Sequence, residues 1–234
     1  MNNQYPPTQL PSQVGLRPPA ELSSAFLTQA FTWMFAGLLL TAGVAAAVQG
    51  SQQLLRFAAD AFLLLFIGQL ALVVVIGAAI SRIGATVALG LFFIYAASLG
   101  LTVGLIVQLY TGESVVTAFL SASAMFGGAA LYGVTTKRSL TGIGGYLTMG
   151  LIGLIVASVV NVFLSSGPLG FIISAIGVVI FTALTAYDVQ RISAGDLAAR
   201  LGSMEKAAVV GALQLYLDFI NLFLFMLRLF GDRR

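Results

Sequence analysis

Residues 61–112 decide the fold of this chain and read AFLLLFIGQLALVVVIGAAISRIGATVALGLFFIYAASLGLTVGLIVQLYTG. The stretch holds one charged residue, Arg82, and shows no period-two alternation of polar and apolar residues. A helix crosses a bilayer with roughly 20 mainly apolar residues, so this stretch fits two spans, with the natural break at Ser81-Arg82-Ile83-Gly84. Only helices and closed barrels satisfy every backbone hydrogen bond inside a bilayer, and long apolar runs without period-two alternation favour helices.

The composition extends this interpretation to the whole chain. Of 234 residues, 59% are hydrophobic and 8% are charged, and the mean hydropathy is +1.01. A soluble domain carries roughly 25% charged residues, so most of this surface must face lipid. Cysteine and histidine are absent, which excludes disulfides, thiolate metal sites and cysteine catalysis and leaves proton chemistry to carboxylates. The net charge is only +3, and the sequence contains no basic patch with interleaved aromatics, so we expect no nucleic-acid partner. We also expect no cofactor.

Outward from the deciding stretch, further apolar runs follow on both sides. We predict an all-α polytopic membrane protein with seven transmembrane helices in residues 25–234, preceded by a flexible polar tail in residues 1–24. Residues 49–59 and 188–206 are predicted to be polar connections. The predicted spans are residues 26–48, 61–80, 85–109, 113–132, 142–164, 169–187 and 207–230.

The distribution of basic residues predicts the orientation. With the N-terminus in the cytoplasm, the cytoplasmic segments hold seven Lys or Arg residues and the opposite loops hold one, Arg56. We predict that the last segment crosses the membrane fully, which places Arg228, Arg233 and Arg234 on the side opposite the cytoplasm. The alternative is a re-entrant segment that returns to the cytoplasmic side. The seven cytoplasmic residues are Arg17, Arg82, Lys137, Arg138, Arg191, Arg200 and Lys206.

Two aspartates are unusual for their surroundings. Asp218 lies about eleven residues into the last apolar segment, roughly 16 Å along a helix, and Asp188 ends the sixth. An ionised carboxylate at mid-depth costs at least about 2.5–3.5 kcal/mol, so the sequence must supply it with a partner, a proton or water.

Helical spacing places each aspartate on a stripe of polar, small or aromatic residues. If the two stripes face each other, Asp188 and Asp218 meet, share one proton and titrate as a pair, which would act as a pH-dependent latch. Arg82 is the expected counter-charge, while Thr185, Gln214 and Asn221 supply a supporting polar face. The stripes are Ser174, Gly177, Phe181, Thr185 and Asp188 in the sixth span, and Gln214, Asp218, Asn221, Phe225 and Arg228 in the last.

Simpler interpretations stay open for each of these residues. Asp188 could be a helix-end residue in the headgroup zone, and Asp218 a structural hydrogen-bond anchor. Arg82 alone fits a turn residue that follows the inside-positive rule. Clustered glycines at residues 127–128, 142–145, 150 and 153 predict close helix packing, because small residues let helices approach in lipid.

Around the aspartates the sequence resembles the Bax inhibitor family, also called the transmembrane Bax inhibitor motif family, in its bacterial inner-membrane branch. The resemblance rests on TAYDVQ at residues 185–190 and GALQLYLDFINLF at residues 211–223, with LYGVTTKR at 131–138 and GLIGLIV at 150–156 in support. It implies a last helix surrounded by the other six, an aspartate pair at Asp188 and Asp218, and a gating arginine at Arg82. Ser139 stands where an aspartate commonly follows the Lys-Arg of the basic loop.

The resemblance implies a pH-sensitive calcium leak across the membrane, with calcium as the transported ion in contact with Asp188 and Asp218. Hard cations prefer oxygen ligands, which the inward stripes offer. The alternative is a regulatory protein that acts through membrane-protein partners, on a protease or on stress or cell-death machinery. Two intramembrane aspartates also occur in presenilin-like proteases, but Asp218 follows Leu215-Tyr-Leu217 rather than G-x-G, so we expect no enzyme.

Overall fold

The computed structural model describes residues 20–232, with side chains described from residue 25 onward. Within that range the chain forms nine α-helices and no strands, and seven of them are long and apolar enough to cross a membrane. The predicted all-α fold with seven spanning helices is confirmed. Most of the predicted tail lies outside the described residues. The helices are α1 (Ala20–Gly50), α2 (Gln52–Asp60), α3 (Phe62–Ala79), α4 (Ala85–Val107), α5 (Gly112–Thr135), α6 (Gly144–Leu164), α7 (Gly167–Ser193), α8 (Asp196–Leu201) and α9 (Met204–Phe230); the spanning ones are all except α2 and α8.

Hydroxyl side chains set the starts of four helices. Ser51, Thr111, Ser166 and Ser203 precede α2, α5, α7 and α9, and each side chain accepts a hydrogen bond from the backbone N–H three residues later. This satisfies one of the donors that every helix N-terminus leaves free. Short polar breaks therefore suffice to end one span and begin the next.

Both predicted polar connections are largely helical. Residues 52–60 form α2, an amphipathic helix in which Ala58 is buried while Leu54 and Phe57 are exposed, as expected for a helix at a membrane surface. The predicted connection at residues 188–206 is shorter than expected, because α7 continues to Ser193 and α8 follows it. Hydropathy marks polar residues as loop, whereas helical hydrogen bonding continues through them.

The last helix is the centre of the bundle. Of its most apolar stretch 67% is buried, against 11% for the spans formed by α3 and α6. It packs against α1, α4, α5, α7 and the short α8. The expectation that all six other spans surround it is wrong in one respect: α3 packs mainly on α4, and α6 packs on α7. These two helices form an outer layer that faces lipid.

The last helix runs from one end of the bundle to the other. At its start the Lys206 ammonium donates to the backbone carbonyl of Ser81, in the turn between α3 and α4. At its end, Asp232 exchanges hydrogen bonds with Thr111 and Ser114 at the start of α5. The last segment therefore extends along the whole bundle, as a full crossing requires. We call the end with the α3–α4, α5–α6 and α7–α9 connections the basic end; it corresponds to the predicted cytoplasmic side.

Close helix packing uses different glycines from those predicted. A Cβ atom at Gly133 would meet the backbone carbonyl of Ala186 in α7. Most of the predicted cluster meets nothing within 4 Å, including Gly127, Gly128 and Gly153, and only Gly144 and Gly150 contact α7. The prediction was wrong for most of the cluster, because glycine spacing does not reveal which helix face meets a neighbour. Other glycines within helices that have close neighbours are Gly37, Gly100, Gly104, Gly170, Gly177 and Gly211.

Candidate functional site

Asp188 in α7 and Asp218 in α9 are both buried, on two helices that pack against each other. Their exposed fractions are 7% and 4%, and the two carboxyl groups are close enough to interact electrostatically. Asp188 lies inside α7 rather than at its end, since the helix continues for five more residues to Ser193. Asp188 is therefore a buried residue within α7 and not an exposed residue at the helix end.

The register of two antiparallel helices brings the aspartates together. Gly211 of α9 packs against Ile192 of α7, and Phe225 packs against Gly177 further along. Asp188 and Asp218 both fall between these contacts, within about one helical turn of each other along the interface. The two stripes predicted from helical spacing therefore face each other, which is the condition stated above for the two carboxyl groups to meet.

The polar partners around Asp218 are few. Its Oδ2 atom is buried and has no hydrogen-bond partner among the described residues. Leaving a buried oxygen without a hydrogen bond costs about 1–3 kcal/mol, and more for a charged group. A proton on the pair, or a cation beside it, would remove that cost.

The predicted supporting residues line the same interface. The Thr185 hydroxyl is fully buried and donates to the carbonyl of Phe181, and the Asn221 amide donates to the carbonyl of Leu217. Each bond stays within its own helix, so the side-chain oxygens can still accept a hydrogen bond or coordinate a cation. Gln214 is half-buried, one turn before Asp218.

The cation beside the pair is Arg191 rather than Arg82. Nη1 of Arg191 lies 3.9 Å from Oδ1 of Asp188, and its guanidinium lies over the ring of Tyr187, 5.2 Å from the centroid. Arg82 is exposed in the turn after α3, and within the described residues it forms no ion pair with either aspartate. Sequence reasoning had counted Arg191 only as a loop charge, although its i, i+3 spacing from Asp188 on one helix was a usable signal.

Aromatic rings close the interface two helical turns away from the aspartates. Phe181 and Phe225 lie seven residues from Asp188 and Asp218, about 10 Å along each helix, and their ring centroids are 5.8 Å apart. A Cβ atom at Gly177 would meet the Phe225 ring at 2.7 Å, so no space is left between the helices there. We call Phe181 and Phe225 the ring pair.

Beyond the ring pair the interface becomes polar again. The Arg228 guanidinium lies next to Gly170, where the amide of the buried Asn161 also approaches. The α7–α9 interface therefore presents carboxyl groups, then an apolar block, then a cation. The apolar block lies between the two polar parts of this interface.

The fold and this interface define a polytopic helical membrane protein with a carboxyl pair buried between its sixth and seventh spans. The family model described as "Inhibitor of apoptosis-promoting Bax1" matches residues 23–234. The chain therefore belongs to the Bax inhibitor family, and the resemblance stated from the sequence is confirmed.

Similar proteins occur in distant bacteria. The chain is 44% identical over 217 residues to the inner membrane protein YbhL of Escherichia coli, covering 89% of this chain and 92% of that one. It is 43% identical over 218 residues to a protein of Borreliella burgdorferi, covering 91% and 94% of the two chains. A protein of Deinococcus radiodurans is 41% identical over 209 residues, with coverage of 89% and 90%.

Proposed function

We propose that this protein is a pH-sensitive calcium leak channel of the bacterial inner membrane, gated by a proton that Asp188 and Asp218 share. The observation that carries the proposal is the burial of two interacting carboxyl groups on neighbouring helices, with Oδ2 of Asp218 lacking a hydrogen-bond partner among the described residues. Two such groups cannot both be ionised cheaply, so a single proton stabilises the pair. The inner-membrane relative supports the location.

The gate follows from the two charge states of the pair. With the proton present, one carboxyl group donates a hydrogen bond to the other and holds α7 against α9. Without it, two anions repel each other and attract a cation, so the helices separate or bind one. The ring pair fills the interface in the present conformation, which supports assigning this conformation to the closed state.

Calcium fits the oxygen atoms at this interface. Ca²⁺ takes six to eight oxygen ligands, and its affinity rises with the number of charged ones. Asp188 and Asp218 offer two carboxylates, while Thr185, Gln214 and Asn221 add neutral oxygens nearby. A site with two charged ligands would hold the ion weakly, as a leak requires. The gating role of Arg82 rests on the family resemblance. For Arg82 to act as a counter-charge, the turn between α3 and α4 would have to move toward Asp188 and Asp218.

The experiment is calcium flux into proteoliposomes that contain a calcium dye, measured from pH 5.5 to 8.5. For the unmodified protein we expect flux to rise with pH, because loss of the shared proton creates the anionic pair. Asp218→Asn and Asp188→Asn remove the shared carboxylic proton but keep the shape. We expect both variants to lose most of the pH response. At high pH their calcium flux should be lower by at least about tenfold, because the site has lost one of its two charged ligands.

Asp60→Asn is the matched control. It replaces the same carboxylate with the same amide, but Asp60 is exposed at the end of α2, away from the carboxyl pair. It should retain the flux and its pH response. If both buried-site variants behave like this control, the gating mechanism is wrong.

The family description supports a second function, regulation of other membrane proteins through contacts. This function predicts partners that co-purify with the protein and a phenotype that survives Asp218→Asn. Loss of the phenotype together with the flux would favour the channel instead. In either case we assign no catalytic role to the aspartates.

A further inference from the structure

The loop between α5 and α6 and the end of α7 enclose an open cavity of about 490 Å³ at the basic end. Three cationic side chains line it, Lys137, Arg138 and Arg191, against one acidic residue, Asp196. Four hydroxyl groups also line it, those of Thr136, Ser139, Thr141 and Ser193. The chemistry of this lining suits a phosphate group.

The loop that forms the cavity has a defined position on α7. The carboxamide of Gln190 accepts a hydrogen bond from the backbone N–H of Leu140 at 2.7 Å and donates one to the carbonyl of Arg138 at 2.9 Å. Gln190 thereby fixes both sides of the turn that carries the basic residues. Within the described chain, Lys137 and Arg138 form no ion pair, so their charges are not neutralised by the protein.

The position of the cavity identifies the source of the phosphate. Val134 lines the cavity at the end of α5, and Leu131 and Tyr132 lie one turn deeper on that helix; all three are at least half exposed. Because α5 spans the membrane, these side chains lie where acyl chains run. Basic pockets between helices on the cytoplasmic side bind the headgroups of anionic lipids. A lipid therefore fits the lining better than free phosphate does.

Arg191 connects this cavity to the aspartate pair. The same guanidinium that lines the cavity lies 3.9 Å from the carboxylate of Asp188. Guanidinium groups bind phosphate oxygens in a bidentate manner, so a phosphate would compete with Asp188 for Arg191.

We propose that the cavity binds the phosphodiester of an anionic phospholipid on Lys137, Arg138 and Arg191, and that the bound lipid draws Arg191 away from Asp188. The binding site stands on its own, whereas its effect on calcium flux rests on the function proposed above. Losing the cation beside Asp188 makes the doubly anionic pair costlier and favours retention of the shared proton, so the lipid should hold the gate closed up to a higher pH.

Binding is tested by native mass spectrometry of the full-length protein in detergent titrated with phosphatidylglycerol. Lys137→Gln combined with Arg138→Gln should weaken binding about tenfold or more. Arg200→Gln is the control, because Arg200 is an exposed cation at the same end and does not line the cavity. Equal binding by the double variant and the control would overturn the site. Thermal unfolding of both variants shows whether each is folded.

A second titration uses inorganic phosphate against bound phosphatidylglycerol. We expect only weak displacement at millimolar phosphate, since phosphate lacks the acyl chains. Binding of phosphate with no binding of phosphatidylglycerol would overturn the assignment to a lipid.

The effect on the gate is tested by calcium flux in liposomes of phosphatidylcholine alone and in liposomes with about 20% phosphatidylglycerol added. The protein and Arg200→Gln should respond to the added lipid, while the double variant should not. All three experience the same surface charge, so a difference between them reports the cavity. An equal response in all three would overturn the coupling. Absence of calcium flux in every sample would instead contradict the proposed function and leave the binding result standing.

Discussion

Asp218 shows how a single residue constrains the chain around it. A carboxyl group about halfway along an apolar helix is tolerated only where a proton, a counter-charge or another polar group compensates for lost water. Here the nearest compensating groups are the second carboxyl group, Asp188, and through it Arg191. The three side chains therefore depend on one another, and the charge of one changes the stability of the others.

A second buried polar contact fixes the rotation of the same helix. The phenol of Tyr216, two residues before Asp218, is fully buried, and its oxygen lies 2.6 Å from Oγ1 of Thr41 in α1. Thr41 also lies 2.9 Å from the carbonyl of Ala96 in α4, so one cluster connects three helices. This contact holds α9 with Asp218 turned toward α7.

We predict that Thr41→Val destabilises the protein by about 1–3 kcal/mol, because it leaves the Tyr216 hydroxyl buried without its partner. Tyr216→Phe should cost less, about 1 kcal/mol, since Thr41 keeps its backbone acceptors. The combined variant should be less destabilised than the sum of the two. Unfolding in mixed micelles with increasing dodecyl sulfate measures all three; simple additivity would show that the hydroxyl contact contributes nothing.

At the scale of helices, contact distances rather than composition decide what each glycine does. Gly133 and Gly127 both lie in α5, yet a Cβ atom at Gly133 would collide with the carbonyl of Ala186 whereas one at Gly127 would meet nothing within 4 Å. Close approach of α5 to α7 therefore depends on Gly133. Gly133 also lines the cavity at the basic end, and Ala186 lies two residues before Asp188.

We predict that Gly133→Ala lowers the free energy of unfolding by about 1–3 kcal/mol through overpacking against a backbone atom. The matched variant Gly127→Ala should be neutral or stabilising by up to about 1 kcal/mol, because alanine favours helix over glycine. The same micelle titration compares them. Equal effects at the two positions would mean that α5 and α7 do not approach as closely as described.

The ring pair gives the α7–α9 interface its apolar block, and it should limit flux in the closed state. We predict that Phe225→Ala raises calcium flux at pH 6 several-fold, because it opens space beside Gly177 while the aspartate pair remains protonated. Phe230→Ala is the control, since Phe230 is 65% exposed on the same helix. Unchanged flux in Phe225→Ala would place the conducting path elsewhere in the bundle.

At the scale of the whole molecule, the bundle has one end rich in basic connections and one end poor in them. The turn after α3, the α5–α6 loop and the α7–α9 connection share the first end, while the C-terminus of α9 lies at the second, beside Thr111. The inside-positive rule predicts that the first end is cytoplasmic. Orientation then follows for every loop at once, because the helices alternate.

The absence of native cysteine makes this orientation testable without background labelling. Ser139→Cys, in the basic loop, should react with a membrane-impermeant maleimide only after cells are opened. Gln53→Cys, exposed in α2, should react in intact spheroplasts. The reverse pattern would invert the topology, and with it the side on which the cavity meets lipid.

The sequence by itself determined the spans, the two aspartates and the faces they occupy. These features follow from hydropathy and from the helical period, which act within one segment and need no knowledge of its neighbours. Hydropathy also misled at α2 and at the end of α7, because helical hydrogen bonding does not stop where polarity begins.

Only the tertiary structure decided which groups meet. It buried Asp188 and Asp218 in one interface, gave Asp188 the cation Arg191, left Arg82 in an exposed turn, and assigned close packing to Gly133 rather than Gly127. Each of these outcomes depends on the register and rotation of one helix against another. Register is set by many packing contacts summed over the bundle, and no local pattern in the chain encodes that sum.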